Sequence, residues 1–271
     1  MNRSTTDIVP YGLALSGGGA RGFAHAGVIK ALAEHGIVPD VVAGVSSGAV
    51  VAVLYAAGVE PDDMIKVFAG KAFTDLCEIT IPKDGFFKLD GFKRLLRKYV
   101  PYKNIEDLPV RVSICATDFD RCCNKAFTEG PIMERLIASC SVPIIFKPVK
   151  IEGTYYVDGG VLRNLPAWAI RRECRHLIGV NCSPFSNYKY KLNIVEIAQR
   201  SYMLQAKLNA VDDMKMCDTL IITNSATSFS TFDTKKHAEI VAAGYSDACN
   251  VLDNPSESKN SIIHDFLLSN K

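Results

Sequence analysis

Short apolar runs alternate with longer stretches of helical hydrophobic spacing along this chain. The apolar runs predict strands at residues 11–16, 40–45, 110–117, 177–182 and 218–223. The helical spacing predicts helices at residues 20–35, 47–57, 61–70, 90–99, 131–139, 166–173, 192–213 and 235–252. Strands that alternate with helices form right-handed crossovers, so the pattern predicts an α/β fold with a parallel sheet covered on both faces.

Two stretches interrupt this alternation. Residues 71–90 mix turn residues with aromatic ones, and residues 141–165 predict a long loop and a hairpin that turns at Glu152–Gly153. No repeat or linker divides the chain. We therefore expect a single domain over residues 11–253, with terminal segments at residues 1–10 and 254–271, the second of them partly disordered.

The composition is that of an ordinary soluble globular protein. The 271 residues are 48% hydrophobic and 22% charged, and the formal net charge of +2 does not indicate a nucleic-acid partner. The nine cysteines lack metal-ligand spacing, and we expect most of them to be buried thiols in a reducing compartment. The polar N-terminus does not read as a signal peptide, and no apolar run approaches the ~20 residues that span a bilayer. We expect a cytoplasmic protein.

A glycine cluster follows the first predicted strand. Gly17, Gly19 and Gly22 satisfy the G-x-G-x-x-G spacing of a dinucleotide-binding turn. In that fold an acidic residue ends the second strand, where it binds the ribose. Here Asp40 stands at the beginning of the second predicted strand, at the wrong edge of the sheet, so the sequence argues against a nucleotide.

The second predicted strand instead runs into the pattern G-x-S-x-G at residues 44–48. Such a pattern on a sharp strand-to-helix turn exposes its central serine, here Ser46, as a nucleophile. Gly44 and Gly48 are expected because a side chain at either position would collide with a neighbouring strand or helix. The context supports this interpretation, since an apolar strand precedes the motif and a good helical pattern follows it.

Simple geometry brings the two glycine motifs together. The helix from Ala20 to His35 would climb ~24 Å, and the strand from Asp40 to Val45 would return ~20 Å. Both motifs then lie at the same edge of adjacent parallel strands, where the backbone N–H groups of the glycine loop could stabilise an oxyanion. Arg21 fits an anionic substrate group and a structural role equally well.

A serine nucleophile needs a base, and the residues leave two choices open. His176, His237 and His264 are the histidines late enough for the order Ser, Asp, His, but none lies in a convincing loop at a strand end. Asp158 is the other choice, because a hairpin strand delivers it and two glycines follow it. Taken alone, Asp158 is equally compatible with an ordinary Asp-Gly turn.

The motifs SGGGARG, GVSSG and DGG occur in this order, with ASCSVPIIFKPV between the last two, and they resemble the patatin-like phospholipase family from Tyr11 to about Ile222. The resemblance implies a three-layer α/β/α sandwich with a mainly parallel sheet, and a Ser46–Asp158 dyad without histidine. It also implies an oxyanion hole at Gly17, Gly18 and Gly19. The residues that support these motifs are Arg21, Gly22, Gly44, Gly48, Gly159 and Gly160. Ser16 departs from the family pattern, because many members carry Asp there, and we expect the change to affect structure more than chemistry.

The reaction implied by the resemblance is hydrolysis of fatty-acyl esters in phospholipids or lysophospholipids, with no cofactor and no metal. Such a substrate suggests peripheral membrane contact, for which the basic amphipathic stretch at residues 90–99 is one candidate. The same stretch is also typical of a surface helix packed on the core, and we prefer that interpretation. The alternative functions are a Ser-His-Asp carboxylesterase and a non-enzymatic nucleotide-binding module.

Overall fold

The computed structural model describes residues 7–68, 78–79, 87–88, 90–184, 192–229, 234–254 and 259–268. Its strands are β1 Val9–Leu15, β2 Val41–Val45, β3 Glu78–Ile79, β4 Phe87–Lys88, β5 Arg111–Asp118, β6 Cys123–Phe127, β7 Val149–Ile151, β8 Thr154–Asp158, β9 Cys174–Asn181 and β10 Thr219–Ile222. Its α-helices are α1 Ala24–Glu34, α2 Ser47–Ala56, α3 Pro61–Phe68, α4 Asp90–Leu96, α5 Ile132–Ser139, α6 Ala167–Ile170, α7 Ile194–Asn209, α8 Val211–Met216, α9 His237–Asp253 and α10 Lys259–Leu268. Short 3₁₀ turns include Gly19–Phe23 and Gly159–Val161.

One mixed sheet of eight strands forms the centre of the fold. Its order is β10-β9-β1-β2-β5-β8-β7, with β6 also paired to β5. The five strands predicted from apolar runs are β1, β2, β5, β9 and β10, and they are mutually parallel. Strands β6, β7 and β8 pair in antiparallel fashion at the β5 side. The predicted mainly parallel α/β/α sandwich is therefore confirmed.

Helices cover both faces of this sheet because alternate strand residues point to opposite sides. In β1, Leu13 and Leu15 belong to a large core shared with α1, α2, α3, α5 and α9. Ala14, between them, belongs to a second core shared with α6, α8 and α10. Because β1, β2 and β9 are parallel, their carboxyl ends lie at one edge of the sheet, between the two helix layers.

The hairpin at Glu152–Gly153 is confirmed as the β7–β8 connection. Glu152 and Gly153 have φ angles of 49° and 90°, and two positive φ values are the mark of a type I′ hairpin turn. The turn returns the chain along β7 and directs β8 toward β5, where Asp158 faces Ala116 in the register. The hairpin thus carries Asp158 alongside β5, the neighbour of β2 in the sheet.

Two sequence expectations were wrong in detail. The helix predicted at residues 192–213 is divided at Ala210 into α7 and α8. The tail, in which no element was predicted, forms helix α10 over residues 259–268, and Ile263 and Phe266 of that helix are buried. Strand β6 was not predicted because its five residues form no apolar run and only Phe127 is buried. Most of the stretch 71–90 lies outside the described residues.

The amphipathic stretch at residues 90–99 packs on the core. Leu95, Leu96 and Val100 are buried in the large core, while Arg94 and Arg97 are exposed. Its apolar face is therefore used internally, which favours the packed alternative over a lipid-facing helix. In the described part of the chain, no helix combines the length and apolar character needed to cross a bilayer.

Helices α1 and α9 cross at Gly27 and Gly244, and this close crossing predicts an effect on stability. A Cβ on Gly244 would lie 2.2 Å from the Ala24 carbonyl oxygen, a backbone atom that cannot swing away. We expect Gly244→Ala to lower the free energy of unfolding by about 1–3 kcal/mol, although alanine favours a helix by about 1 kcal/mol. Urea denaturation measures the effect.

Ser246→Ala, at an exposed position of the same helix, is the control and should leave stability within about 0.5 kcal/mol of wild type. A Gly244→Ala protein as stable as that control would contradict the close crossing.

Candidate active site

Ser46 occupies the sharp turn between β2 and α2. Its φ and ψ angles are 53° and −123°, a conformation that costs a non-glycine residue about 1–3 kcal/mol. Its backbone N–H donates to the Ser139 hydroxyl at 2.8 Å, and that hydroxyl donates to the Cys115 carbonyl at 2.6 Å. These hydrogen bonds to α5 and β5 hold the strained turn in place, and the Ser46 side chain remains partly exposed.

Glycines at positions 44 and 48 allow the turn to form. A Cβ on Gly44 would lie 2.4 Å from the Ala49 backbone nitrogen. A Cβ on Gly48 would lie 2.3 Å from the Leu15 carbonyl oxygen. Both neighbours are backbone atoms. A larger residue at position 44 would therefore push α2 away from β2, and one at position 48 would push α2 away from β1.

The glycine loop lies directly beside Ser46. A Cβ placed on Gly17 would be 3.2 Å from the Ser46 Cβ. The Gly17 N–H donates to the Asn164 carbonyl at 3.2 Å, so this amide is already engaged. In the described part of the chain, the Gly18 and Gly19 amides donate no hydrogen bond to a backbone carbonyl outside the helices. Gly18 is partly exposed to solvent and Gly19 is exposed.

Ser16 joins the beginning of this loop to β9. Its hydroxyl accepts the Cys182 N–H at 3.0 Å, and its own N–H donates to the Val180 carbonyl at 3.0 Å. The side chain is fully buried. The residue that departs from the family pattern is therefore a packing and hydrogen-bonding link between two strands, beneath the loop.

Arg21 is a buried structural residue. Its guanidinium donates to the carbonyl oxygens of Phe229, Pro184 and Thr227 at 2.9, 3.1 and 3.3 Å. Of the two roles that the sequence left open, the structure supports the structural one, because these bonds tie the glycine loop to two later loops. Gly22, one residue on, leaves room for Ser47, whose Oγ would be 2.5 Å from a Cβ there.

Asp158 lies at the end of β8 and is completely buried. Its Oδ1 accepts two hydrogen bonds, from the Gly160 N–H and from the Tyr202 hydroxyl, each at 2.9 Å. Its Oδ2 has no hydrogen-bond partner in the described part of the chain. Burial raises the pKa of Asp158 to about 6, against the lowering effect of the Gly160 amide and the hydroxyls of Ser46 and Tyr202. The Ser46 hydroxyl is thus close enough to affect this pKa, although it does not complete a hydrogen bond to Oδ2.

The two glycines after Asp158 are required by close contacts. A Cβ on Gly159 would lie 2.8 Å from the Cys115 carbonyl oxygen. A Cβ on Gly160 would lie 2.1 Å from the Tyr202 hydroxyl oxygen. Gly159 therefore lets the turn approach β5, and Gly160 lets Tyr202 reach the carboxylate.

The three candidate histidines have other partners. His176 pairs in register with Tyr11, near the start of β1 and far from Ser16, and its Nε2 lies 2.8 Å from the Thr219 hydroxyl. The His237 ring packs 6.0 Å from the Phe23 ring, and exposed His264 lies 3.6 Å from Asp265. In the described residues, the groups that hydrogen-bond to the Asp158 carboxylate or influence its pKa are those of Gly160, Tyr202 and Ser46.

His25 is a buried histidine that sequence reasoning did not single out. Its Nε2 lies 2.8 Å from the Ser16 carbonyl oxygen, which can only accept, so Nε2 carries the proton. Burial lowers the pKa of His25 to about 4, which keeps the ring neutral. His25 therefore supports the back of the glycine loop without adding charge.

Tyr202 is the principal residue of the site that the sequence did not indicate. It lies in α7, and its hydroxyl reaches a carboxylate 44 positions earlier in the chain. No motif surrounds it, and an aromatic residue at helical spacing is an ordinary core feature. Ser139 and Asn164 also belong to the site, because they make hydrogen bonds to the Ser46 turn and the glycine loop respectively.

The three motifs therefore meet at one edge of the sheet, where a strained serine faces a buried aspartate and a glycine loop. Residues 13–170 match the sequence profile of the patatin-like phospholipase family. The chain belongs to that family. The resemblance inferred from the motifs is thereby confirmed.

Curated relatives are named lysophospholipases or members of the NTE family. Lysophospholipase NTE1 of Eremothecium gossypii is 28% identical over 266 residues, which cover 86% of this chain and 17% of the relative. The Saccharomyces cerevisiae protein of the same name is 27% identical over 266 residues, with 86% and 16% coverage. An uncharacterized NTE family protein of Mycobacterium bovis is 35% identical over 156 residues, covering 57% of this chain and 43% of the relative. The chain thus spans less than a fifth of the two lysophospholipases.

A solved structure is similar to this chain over nearly its whole length. VipD from Legionella pneumophila superposes with a TM-score of 0.53 at 17% identity, covering 94% of this chain and 71% of VipD. At this identity the likeness shows a shared fold.

The buried carboxylate predicts that stability depends on pH. The pKa of Asp158 is raised from 3.8 to about 6 on folding, so its stability contribution is fully present below pH 3.8 and is lost as pH rises through about 6. We expect Asp158→Asn, which removes the buried charge, to raise the free energy of unfolding at pH 8 by up to ~3 kcal/mol. The gain should shrink as pH falls toward 4.

Chemical denaturation of both proteins across this pH range measures the difference. The pKa of Asp213 is also raised to about 6, but Asp213 is present in both proteins, so its effect cancels in the comparison. A difference that grows toward low pH would have the wrong sign and would contradict the raised pKa of Asp158.

Proposed function

We propose that this chain is a serine lipid acyl hydrolase in which Ser46 is the nucleophile and Asp158 is the base. The observation that carries the proposal is the state of the Asp158 carboxylate. One oxygen is held by two donors, and the other is buried beside a serine in a strained turn and has no hydrogen-bond partner among the residues that the structure describes. A carboxylate with a raised pKa and a free oxygen is suited to accept a proton, and the geometry of such a pair often tightens only when substrate binds.

In the first proposed step, Ser46 Oγ attacks the acyl carbonyl carbon and its proton passes to Asp158. The carbonyl oxygen becomes negatively charged, and amides of the glycine loop stabilise it. Since the Gly17 amide donates to Asn164, we assign this role to the amides of Gly18 and Gly19, which follow Gly17 in the loop beside Ser46. When the tetrahedral intermediate collapses, the bond to the alcohol breaks and Asp158 returns the proton to the departing oxygen.

In the second proposed step, water hydrolyses the acyl-enzyme. Asp158 takes a proton from the attacking water, and the new oxyanion occupies the same amides. Collapse breaks the bond to Ser46 Oγ, which regains the proton, and the fatty acid leaves. This scheme uses no cofactor and no metal.

Phospholipids and lysophospholipids are the proposed substrates. The support is family membership together with relatives that are themselves named lysophospholipases. A substrate of this kind is held in a membrane or micelle, so the proposal includes peripheral contact with a lipid surface. The core-packed stretch at residues 90–99 supplies its exposed cations to such a contact, but not its apolar face.

Adjacent serines provide a matched test of the nucleophile. Ser46→Ala should abolish both covalent labelling by a fluorophosphonate probe and hydrolysis of a chromogenic acyl ester, because the attacking oxygen is gone. Ser47→Ala changes the next residue in the same turn and should retain both. Labelling that persists in Ser46→Ala and disappears in Ser47→Ala would make Ser47 the nucleophile and contradict the proposal. Mass spectrometry of products from defined phospholipids and lysophospholipids then identifies the substrate.

The base assignment predicts an acidic limb in the pH profile. Because Asp158 must be ionised to accept a proton and its pKa is about 6, kcat/KM should fall about tenfold for each pH unit below that value. Asp158→Asn should lose turnover at every pH while retaining the fold, as judged by circular dichroism. An Asp158→Asn protein with full activity would return the role of base to a histidine.

A further inference from the structure

Helix α7 is attached to the loop that carries Asp158 at two points on one face. Tyr202 and Asn209 are seven residues apart, which places them two helical turns from each other. The Asn209 Oδ1 accepts the Asn164 N–H at 2.9 Å, and its Nδ2 donates to the Gly160 carbonyl at 2.9 Å. The position of Tyr202 relative to the Asp158 turn is therefore fixed by a separate pair of hydrogen bonds.

The contact between Tyr202 and Asp158 has a defined direction. A carboxylate can only accept, so the hydroxyl donates to Oδ1. Burial, with the neighbouring Asp158 charge, raises the pKa of Tyr202 well above 10, so the hydroxyl keeps its proton. The Gly160 amide donates to the same oxygen. Two donors on Oδ1 fix the plane of the carboxylate and leave Oδ2 as the free acceptor.

Gly160 makes this contact possible. A Cβ at position 160 would lie 2.1 Å from the Tyr202 hydroxyl oxygen and 3.0 Å from its ring carbon Cζ. Glycine therefore does two things here, because its amide binds Oδ1 and its missing side chain leaves space for the second donor.

We propose that Tyr202 is a positioning residue for the reaction, in which its hydroxyl orients the Asp158 carboxylate so that Oδ2 faces the Ser46 proton. The proposal rests on the assignment of Ser46 and Asp158 as the reacting pair. Tyr202 touches neither the substrate nor the attacking oxygen in this scheme and acts only through Asp158. It also favours the ionised form of the carboxylate, since a hydrogen bond to the charged form stabilises that form.

The other titratable group facing Asp158 in the described residues is the Cys140 thiol, at the end of α5. Burial raises the pKa of Cys140, so this thiol is neutral across the working range. Tyr202 from α7 and Cys140 from α5 are thus the two ionisable neighbours, and neither changes charge near pH 6. A shift of the acidic limb in a Tyr202 variant can therefore be assigned to Asp158.

The test is the pH profile of Tyr202→Phe, which removes one oxygen and preserves the ring. We expect the acidic limb of kcat/KM to move to higher pH by about one pH unit, so that kcat/KM falls about fivefold at pH 6, close to tenfold at pH 5, and much less at pH 9. Tyr55→Phe is the matched control. Its hydroxyl donates at 2.9 Å to the Pro39 carbonyl, away from Asp158, so its limb should not move. An equal loss at all pH values in Tyr202→Phe, with the limb unmoved, would reduce Tyr202 to a packing residue.

A second variant checks the same contact from the other side. Gly160→Ala places a methyl group where the hydroxyl lies, and we expect it to shift the limb in the same direction as Tyr202→Phe. In the double variant the two shifts should not add, because the displaced hydroxyl is already absent. Additive shifts would show that the two residues act independently and would overturn the proposal.

A direct titration separates this proposal from the proposed function. Carbon-13 NMR of labelled aspartate side chains, with Asp158→Asn for assignment, gives the pKa of Asp158 without any turnover. A wild-type protein with no hydrolysis and no labelling of Ser46 refutes the proposed function. Whether or not the enzyme turns over, an Asp158 pKa that is the same in Tyr202→Phe and wild type refutes the contact.

Discussion

The candidate site depends on how closely the backbone of the β2–α2 turn can approach the strands beside it. Glycines at positions 44 and 48 bring the turn within a distance of Ala49 and Leu15 that no Cβ tolerates. Ser46 takes a strained conformation as a result, and the bond from its N–H to Ser139 supports that strain. The rest of the molecule offsets a local cost of about 1–3 kcal/mol, in keeping with strain concentrated at functional positions. This approach places Ser46 beside the glycine loop.

Electrostatics impose the second condition on the site. Burial of the Asp158 carboxylate opposes its charge, and hydrogen bonds from Gly160 and Tyr202 partly restore that charge. The balance gives a pKa of about 6, so the group is largely ionised at neutral pH yet more basic than an exposed aspartate. A buried charge lowers stability at neutral pH, a trade between stability and activity that is common at reactive sites. In the proposed reaction, the burial that lowers stability also makes Asp158 a stronger base than a solvated carboxylate.

Much of the architecture followed from the sequence because local patterns encode it. Five buried parallel strands appear as apolar runs, and the helices between them appear as amphipathic periods. Other elements carried a weaker local signal. Strand β6 has only one buried residue, Phe127, and the break at Ala210 falls inside a continuous helical pattern. Helix α10 is recognisable only once Ile263 and Phe266 are seen to pack against the second core.

The sequence by itself determined the fold class and placed Ser46 and the glycine loop at one edge, because the succession of strands and helices along the chain and the glycine spacing are local properties. It identified Asp158 only through resemblance to a family, since a single Asp-Gly pair is compatible with an ordinary turn. Tertiary structure alone decided which groups touch that carboxylate, which glycine amide is already engaged, and that Arg21 is structural. These are contacts between residues far apart in sequence, and they depend on the packing of α7 and the later loops. Packing of that kind leaves no periodic trace in the sequence.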